Sequence, residues 1–212
     1  MKSNPIAKLC YLTVILCLEL CISHSDQSCP PTHTLAQNPN GEVISNGCSK
    51  PSFITVEGEE DFTYCCDRHD ACYAMCQAPK SYCDDDFKKC MHQLCDSKFG
   101  TSPNCKSAAN TYAMGTGIFG QQGYIESQNE HCMCVPVDDV VDHYTNIVRN
   151  FYSLYAPDKA DNVDAIMSKY ISGEKQPTKL YRLYYGLHKK YDNAIHHTDG
   201  RRKMQNIPKP EL

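Results

Sequence analysis

The pattern of hydrophobic and polar positions predicts helices in two neighbouring stretches of the chain. The first stretch, residues 61–76, follows the acidic run Glu59–Asp61, which suits the positive end of a helix dipole, and Pro79 ends it. The second stretch, residues 82–95, follows Ser81, a favourable N-cap residue. Because the link between the stretches is short, the pattern predicts two antiparallel neighbouring helices.

The pattern weakens after this hairpin and then becomes regular again. Residues 106–118 predict a further helix, and residues 119–134 predict loops or short strands. Apolar side chains return at helical spacing in residues 137–155, and residues 160–171 and 179–191 predict two more helices. We therefore expect a mainly α-helical protein with a helical C-terminal extension.

The start of the chain has the pattern of a targeting segment. An apolar run over residues 9–18 follows two lysines, and Glu19 interrupts it before small residues at Ser23 and Ser25. The run is too short to span a bilayer, so a membrane anchor is the less favoured interpretation. The pattern predicts a secretory signal peptide over residues 1–25 and hence a secreted, extracellular protein.

Cysteine is the outlier of the composition, with 15 residues in the chain and no tryptophan. Removal of residues 1–25 leaves twelve cysteines, and an even number in a secreted chain indicates disulfides. All twelve lie before Pro136. We expect a disulfide-rich domain over residues 26–136 and an extension of unknown role over residues 137–212.

The cysteines of the two predicted helices share a register. Cys65 and Cys72 are seven residues apart, as are Cys83 and Cys90, so each pair lies on one helix face. Facing residues of an antiparallel helix pair have residue numbers with a constant sum. The pairing of Cys65 with Cys90 gives the same sum as the pairing of Cys72 with Cys83. We predict the disulfides Cys65–Cys90 and Cys72–Cys83; coincidence among many cysteines is the alternative.

The same register brings three polar side chains to one side of the hairpin. With about 100° of rotation per residue, Asp84 shares a side with His69 and Tyr73, whereas Asp86 points to the opposite side. A carboxylate behind a histidine fixes its tautomer and stabilises the imidazolium that forms on proton transfer. The pattern predicts a general base that activates water without a serine or cysteine nucleophile.

These residues also have structural explanations. Asp84 ends the pattern Ser81-x-x-Asp84, which is typical of a capping box, and a lone tyrosine or histidine on a helix usually belongs to the core or surface. Asp70 points towards the loop before the helix, where a carboxylate with loop carbonyls makes a calcium-type site. Zinc thiolates are less favoured in an oxidising compartment.

A resemblance to a known family rests on these residues. Residues 65–73 read CCDRHDACY and resemble the active-site helix of secreted phospholipase A2, whose pattern is C-C-x-x-H-D-x-C. The branch most similar is group XII, on the motifs Asn46-Gly47-Cys48, Cys83-Asp84 before Cys90, and Tyr124–Gln128 before Cys132-Met133-Cys134. The resemblance covers about residues 29–136. It implies a disulfide-rich phospholipase A2 fold with two long antiparallel, disulfide-linked helices.

The resemblance also implies an activity, the calcium-dependent hydrolysis of the sn-2 ester of glycerophospholipids to a fatty acid and a lysophospholipid. It makes His69 the base for the attacking water, Asp84 its dyad partner and Tyr73 their hydrogen-bonding support. It makes Asp70 the calcium carboxylate, with Ca²⁺ polarising the ester carbonyl.

The predicted calcium loop departs from the family pattern. Ser49 stands where the family usually has glycine, and Lys50 adds a positive charge. Backbone carbonyls of Gly47, Ser49 and Pro51 remain the candidate ligands beside Asp70. The departure keeps open a second interpretation, a catalytically weak or inactive lipid- or receptor-binding protein. A third interpretation is a disulfide-rich scaffold without a functional site. It would make the shared register of His69 and Asp84 a coincidence.

Charge limits the classes of partner. A formal net charge of −4 provides no basic footprint for nucleic acid. Residues 173–212, however, carry nine basic and four acidic side chains. The helix predicted over residues 179–191 is either packed on the core or placed at a membrane surface, and a flexible basic tail follows from residue 200. We expect a monomer that acts at a phospholipid membrane surface, with any receptor unidentified.

Overall fold

The computed structural model describes residues 28–48, 62–98, 103–171 and 180–197. The predicted signal peptide, the calcium-loop positions Ser49 and Pro51, and the predicted tail from residue 200 lie outside the described residues. Helices dominate the described part of the chain, as predicted. They are α1 (Thr63–Tyr73), α2 (Lys80–Lys98), α3 (Pro103–Phe119), α4 (Gln121–His131), α5 (Val140–Tyr155), α6 (Val163–Ile171) and α7 (Leu180–Lys190).

Within the described ranges, six disulfides link residues between Cys29 and Cys134. The two predicted from the register, Cys65–Cys90 and Cys72–Cys83, are confirmed, with Cα–Cα distances of 5.7 and 5.6 Å between α1 and α2. The other four are Cys29–Cys134, Cys48–Cys66, Cys76–Cys132 and Cys95–Cys105. The disulfide-rich helical fold class is therefore confirmed.

Two sequence predictions about helix positions are wrong. The segment predicted as loops or short strands over residues 119–134 is mostly the helix α4, followed by a strand. Its helical surface is polar, so apolar spacing does not reveal it; Tyr124 and Gln128 hold it to the turn after α1 by hydrogen bonds. Ser81 is not an N-cap, because α2 begins at Lys80 and the Pro79 carbonyl accepts its first hydrogen bond, from the Cys83 N–H.

In the part of the chain that the structure describes, four short strands form two small sheets. Strand β1 (His33–Gln37) runs antiparallel to β3 (Cys132–Pro136). Strand β2 (Ile44–Ser45) runs parallel to β4 (His196–His197), so the end of the described chain meets the segment that leads to Gly47. The extension is thus attached to the N-terminal part of the molecule by main-chain pairing.

The helical extension packs on the rest of the protein. One apolar cluster joins α5, α6 and α7 and includes Ala36 and Val135 of the β1–β3 sheet. Another joins Ala71 of α1 to Tyr185 of α7 and to Ile195. The buried apolar face of α7 agrees with the packed interpretation of residues 179–191. Among the described residues, no helix combines the length and the apolar character that crossing a membrane requires.

Candidate active site

The α1–α2 hairpin brings together the three residues that the sequence predicts as a catalytic set. His69 Nε2 lies 2.9 Å from Asp84 Oδ1, and the Tyr73 hydroxyl donates a hydrogen bond of 2.7 Å to the same oxygen. The His69 ring is buried, with the rings of Tyr73 and Phe87 at centroid distances of 4.2 and 4.6 Å. Their proximity follows from the disulfide register; their catalytic role stays a prediction.

A lysine that the sequence reasoning missed completes the surroundings of Asp84. Lys80 Nζ donates to Asp84 Oδ2 at 2.6 Å and to the Thr116 carbonyl of α3 at 2.8 Å. The i, i+4 spacing of Lys80 and Asp84 on a helix was an available signal. Asp84 Oδ1 therefore contacts His69 and Tyr73, while Oδ2 accepts a hydrogen bond from the Lys80 ammonium. Because both oxygens are bound, the orientation of the carboxylate is fixed.

The electrostatics of the set favour an ionised Asp84. Burial alone raises the pKa of Asp84, but hydrogen bonds from His69, Lys80 and Tyr73 outweigh it and lower the pKa to about 2. Burial, the hydrogen bond to Asp84 and the charge of that carboxylate raise the pKa of the Tyr73 phenol. Tyr73 therefore remains a donor at neutral pH, and Asp84 remains a carboxylate beside the imidazole.

Asp70 lies on the other side of His69 and faces the segment before α1. Its Oδ2 accepts hydrogen bonds from Ser45 Oγ at 2.8 Å and from the Asn46 N–H at 3.2 Å. Burial raises the pKa of Asp70 to about 6, although the Ser45 hydrogen bond lowers it. No hydrogen bond to Oδ1 comes from the described residues, so this half-buried carboxylate has an oxygen left that is suited to a cation.

The calcium-loop positions are only partly described. Gly47 has a φ of 75°, a left-handed conformation that favours glycine, and its N–H donates to Ser45 Oγ at 3.0 Å. Among the described residues no group of three or more His, Cys, Asp or Glu side chains could hold a metal. Of the predicted calcium ligands, Asp70 and Gly47 lie within the described residues, and Ser49 and Pro51 lie outside them.

Asp86 points away from His69, as the helical rotation predicts. It accepts hydrogen bonds from Arg68 Nη2 at 3.1 Å, from the Tyr185 hydroxyl at 2.6 Å and from Lys189 Nζ at 3.1 Å. Burial raises the pKa of Asp86, and these partners lower it below the ordinary value. These hydrogen bonds link the hairpin to α7, and these partners of Asp86 do not include His69.

Two glutamines support the turn that follows α1, and the sequence reasoning assigned them no role. Gln37 Nε2 donates to the Ala74 carbonyl at 3.0 Å, and its Oε1 accepts from the Cys76 N–H at 2.9 Å. Gln128 Nε2 donates to the Tyr73 carbonyl at 2.7 Å. Gln128 lies in a motif used for the family resemblance, so that motif helps to hold the C-terminal end of α1.

Comparison with known proteins supports the resemblance. The family model described as group XII secretory phospholipase A2 precursor matches residues 16–140. The chain is 31 % identical to mouse group XIIA secretory phospholipase A2 over 98 residues, which are 42 % of this chain and 50 % of that protein. The human group XIIA protein is 29 % identical over 98 residues, which are 42 % of this chain and 51 % of that protein.

A third relative is the mouse group XIIB secretory phospholipase A2-like protein, which is 33 % identical over 102 residues, 42 % of this chain and 52 % of that protein. The chain spans about half the length of the curated relatives that it matches. No solved structure matches it significantly. Because the family model covers more than half of the chain, this protein belongs to the group XII secretory phospholipase A2 family.

Proposed function

We propose that the protein is a secreted, calcium-dependent phospholipase A2 in which His69 is the general base. The observation that carries the proposal is the shared Asp84 oxygen, which His69 Nε2 and the Tyr73 hydroxyl both contact. Because Asp84 engages Nε2, Nδ1 is the nitrogen that can take a proton from water. The ionised Asp84 then stabilises the imidazolium until the proton passes to the leaving lysophospholipid oxygen.

Calcium is the cofactor of this proposal, and Asp70 is its carboxylate ligand. Bound Ca²⁺ supplies Lewis-acid polarisation of the ester carbonyl and stabilisation of the oxyanion. The carbonyls of Gly47, Ser49 and Pro51 are the further proposed ligands. With one formal charge in the site, we expect an affinity at the weak, extracellular end, roughly 10⁻⁴ to 10⁻³ M.

The lipid surface is proposed to meet the protein at the end of α3. Met114, Ile118 and Phe119 are 61 %, 62 % and 59 % exposed. This apolar group lies beside the candidate site, because the Thr116 carbonyl in the same turns binds Lys80. No charged residue occurs from position 107 to 125. An uncharged apolar surface favours contact with lipid by insertion rather than by charge.

The decisive experiment measures fatty-acid release from mixed phospholipid vesicles, with calcium and with chelator. We expect release by the wild type in calcium, none in chelator, and none by His69→Gln. His92→Gln is the matched control, because His92 lies on α2 and bonds Asn110 away from Asp84. Undiminished release in chelator, or by His69→Gln, would contradict the proposal.

The absence of tryptophan allows a test of the lipid surface that does not need turnover. In the His69→Gln background, Phe119→Trp should shift its emission to the blue on phosphatidylcholine vesicles. Leu154→Trp is the control, since Leu154 is 75 % exposed on α5 of the extension. A blue shift of the emission in Leu154→Trp but not in Phe119→Trp would place the lipid contact on the extension instead.

The second candidate function is a lipid-binding protein without turnover, which the Ser49 and Lys50 departures favour. The two experiments together separate the candidates. A blue shift at Phe119→Trp with no fatty-acid release by the wild type in calcium would support binding without catalysis.

A further inference from the structure

Strand β4 of the extension lies against the segment that precedes the candidate calcium site. In the β2–β4 pair, Ile44 is opposite His196 and Ser45 is opposite His197. The His196 N–H also donates to the Val43 carbonyl at 2.8 Å. This register delivers the side chain of a C-terminal residue to the neighbourhood of Ser45, two residues before Gly47.

Ser45 connects two carboxylates of α1. Its Oγ lies 2.6 Å from Asp67 Oδ1 and 2.8 Å from Asp70 Oδ2, and it accepts a hydrogen bond from the Gly47 N–H. The side chain is fully buried. A hydroxyl carries one proton and can donate to only one ionised carboxylate at a time. Asp70 also accepts from the Asn46 N–H. When Ser45 donates to Asp70, Asp67 is therefore the carboxylate that this hydroxyl leaves without a donor.

The His197 imidazole, from strand β4 of the extension, faces Asp67. Its Nδ1 lies 3.6 Å from Asp67 Oδ1. The nitrogen is buried and has no hydrogen-bond partner within the described ranges, so Asp67 is the group that it faces. His196, the preceding residue on the same strand, is exposed. Only one of the two adjacent histidines is thus directed to the carboxylates.

We propose that the C-terminal extension positions the calcium carboxylate Asp70, through the sequence of contacts from His197 to Asp67 to Ser45. This inference rests on the proposed function, because it assumes that Asp70 binds calcium. His197 and Ser45 are positioning residues, not ligands. Groups that bond a metal ligand orient it, and their removal weakens metal binding typically by about 10- to 100-fold.

A second attachment keeps the extension in place for this role. Tyr185 and Lys189 of α7 bind Asp86, which also binds Arg68. Arg68 lies between Asp67 and His69 in sequence, so α7 and β4 both hold the turn of α1 that carries the candidate site. The basic side chain of Lys189 is used in this packing and is not directed to a lipid surface.

The test is calorimetric calcium titration of the full-length protein at fixed pH, which needs no turnover. Ser45→Ala should weaken binding about tenfold. His197→Leu should weaken it less, about three- to tenfold, because it acts through two intermediates. His197→Asn keeps a side-chain donor near Nδ1 and should restore part of the loss. His196→Leu is the matched control and should leave the affinity unchanged.

Thermal unfolding in chelator separates positioning from general stability. His197→Leu should lower calcium affinity more than His196→Leu even where their melting temperatures in chelator agree. Wild-type affinity in His197→Leu would overturn the inference and leave the proposed function intact. If the wild type binds no calcium at millimolar concentration, both fail.

Discussion

Asp84 and Asp86 form a matched pair for substitution, because they lie two residues apart on α2 and face opposite sides. Both are half-buried, and each carboxylate has three hydrogen-bonding partners. The same change to asparagine removes one charge in each case with little change in shape. Their partners differ, however, so we expect Asp84→Asn to reduce the rate of hydrolysis and Asp86→Asn to reduce stability.

Asp84→Asn should reduce kcat much more than stability. The amide cannot stabilise the imidazolium of His69 as the carboxylate at 2.9 Å does. A hydrogen bond to a charged group contributes about 1.5–3 kcal/mol, which corresponds to about a 10- to 150-fold loss of rate. The loss should appear in kcat rather than in KM, because the imidazolium forms only after substrate is bound.

Asp86→Asn should instead reduce stability and leave the rate within about threefold. Arg68, Tyr185 and Lys189 lose the carboxylate that joins α7 to the hairpin. We expect a loss of about 1.5–3 kcal/mol in the free energy of unfolding, the range for a hydrogen bond to a charged group.

The assay pairs initial rates of fatty-acid release at saturating calcium with denaturant unfolding of the same preparations. Equal rate losses in Asp84→Asn and Asp86→Asn would refute the reasoning. That result would mean that the acidic residues act through the charge at the start of α2, not through His69.

Three further outcomes are expected. The lowered pKa of Asp84 stabilises the folded state above the unfolded pKa of about 4, and this contribution is lost as pH falls towards 2, so acid unfolding curves should be less steep in Asp84→Asn than in wild type. Tyr73→Phe removes one of the two hydrogen bonds on Asp84 Oδ1 and should lower kcat about fivefold, equivalent to about 1 kcal/mol, whereas an unchanged kcat would limit Tyr73 to packing. Gln37→Leu leaves the Ala74 carbonyl and the Cys76 N–H without their partner and should lower the melting temperature, by an amount that reflects about 1–3 kcal/mol for each buried group; an unchanged melting temperature would contradict that account.

Local periodicity was sufficient to predict the central hairpin. Seven-residue spacing puts two cysteines on one face of each helix, and a shared sum of residue numbers defines their relative height. The disulfides Cys65–Cys90 and Cys72–Cys83 follow from that rule, and so does the proximity of His69 and Asp84. The prediction succeeds because helix geometry and a short antiparallel link relate these residues almost rigidly.

The same rule could not find α4, because that helix is polar and is held by the hydrogen bonds of Tyr124 and Gln128 rather than by an apolar stripe. It also could not find the partners of Asp86 in α7, which are about 100 residues away in sequence.

The tertiary structure alone decided what the extension contacts. Its amphipathic helices were compatible with a membrane surface or with packing, since periodicity identifies an apolar face but not its partner. Burial of α7 against the hairpin, and pairing of Ser45 with His197, depend on how distant segments close around a common core. No spacing in the sequence relates such residues, because nothing rigid connects them before the chain folds.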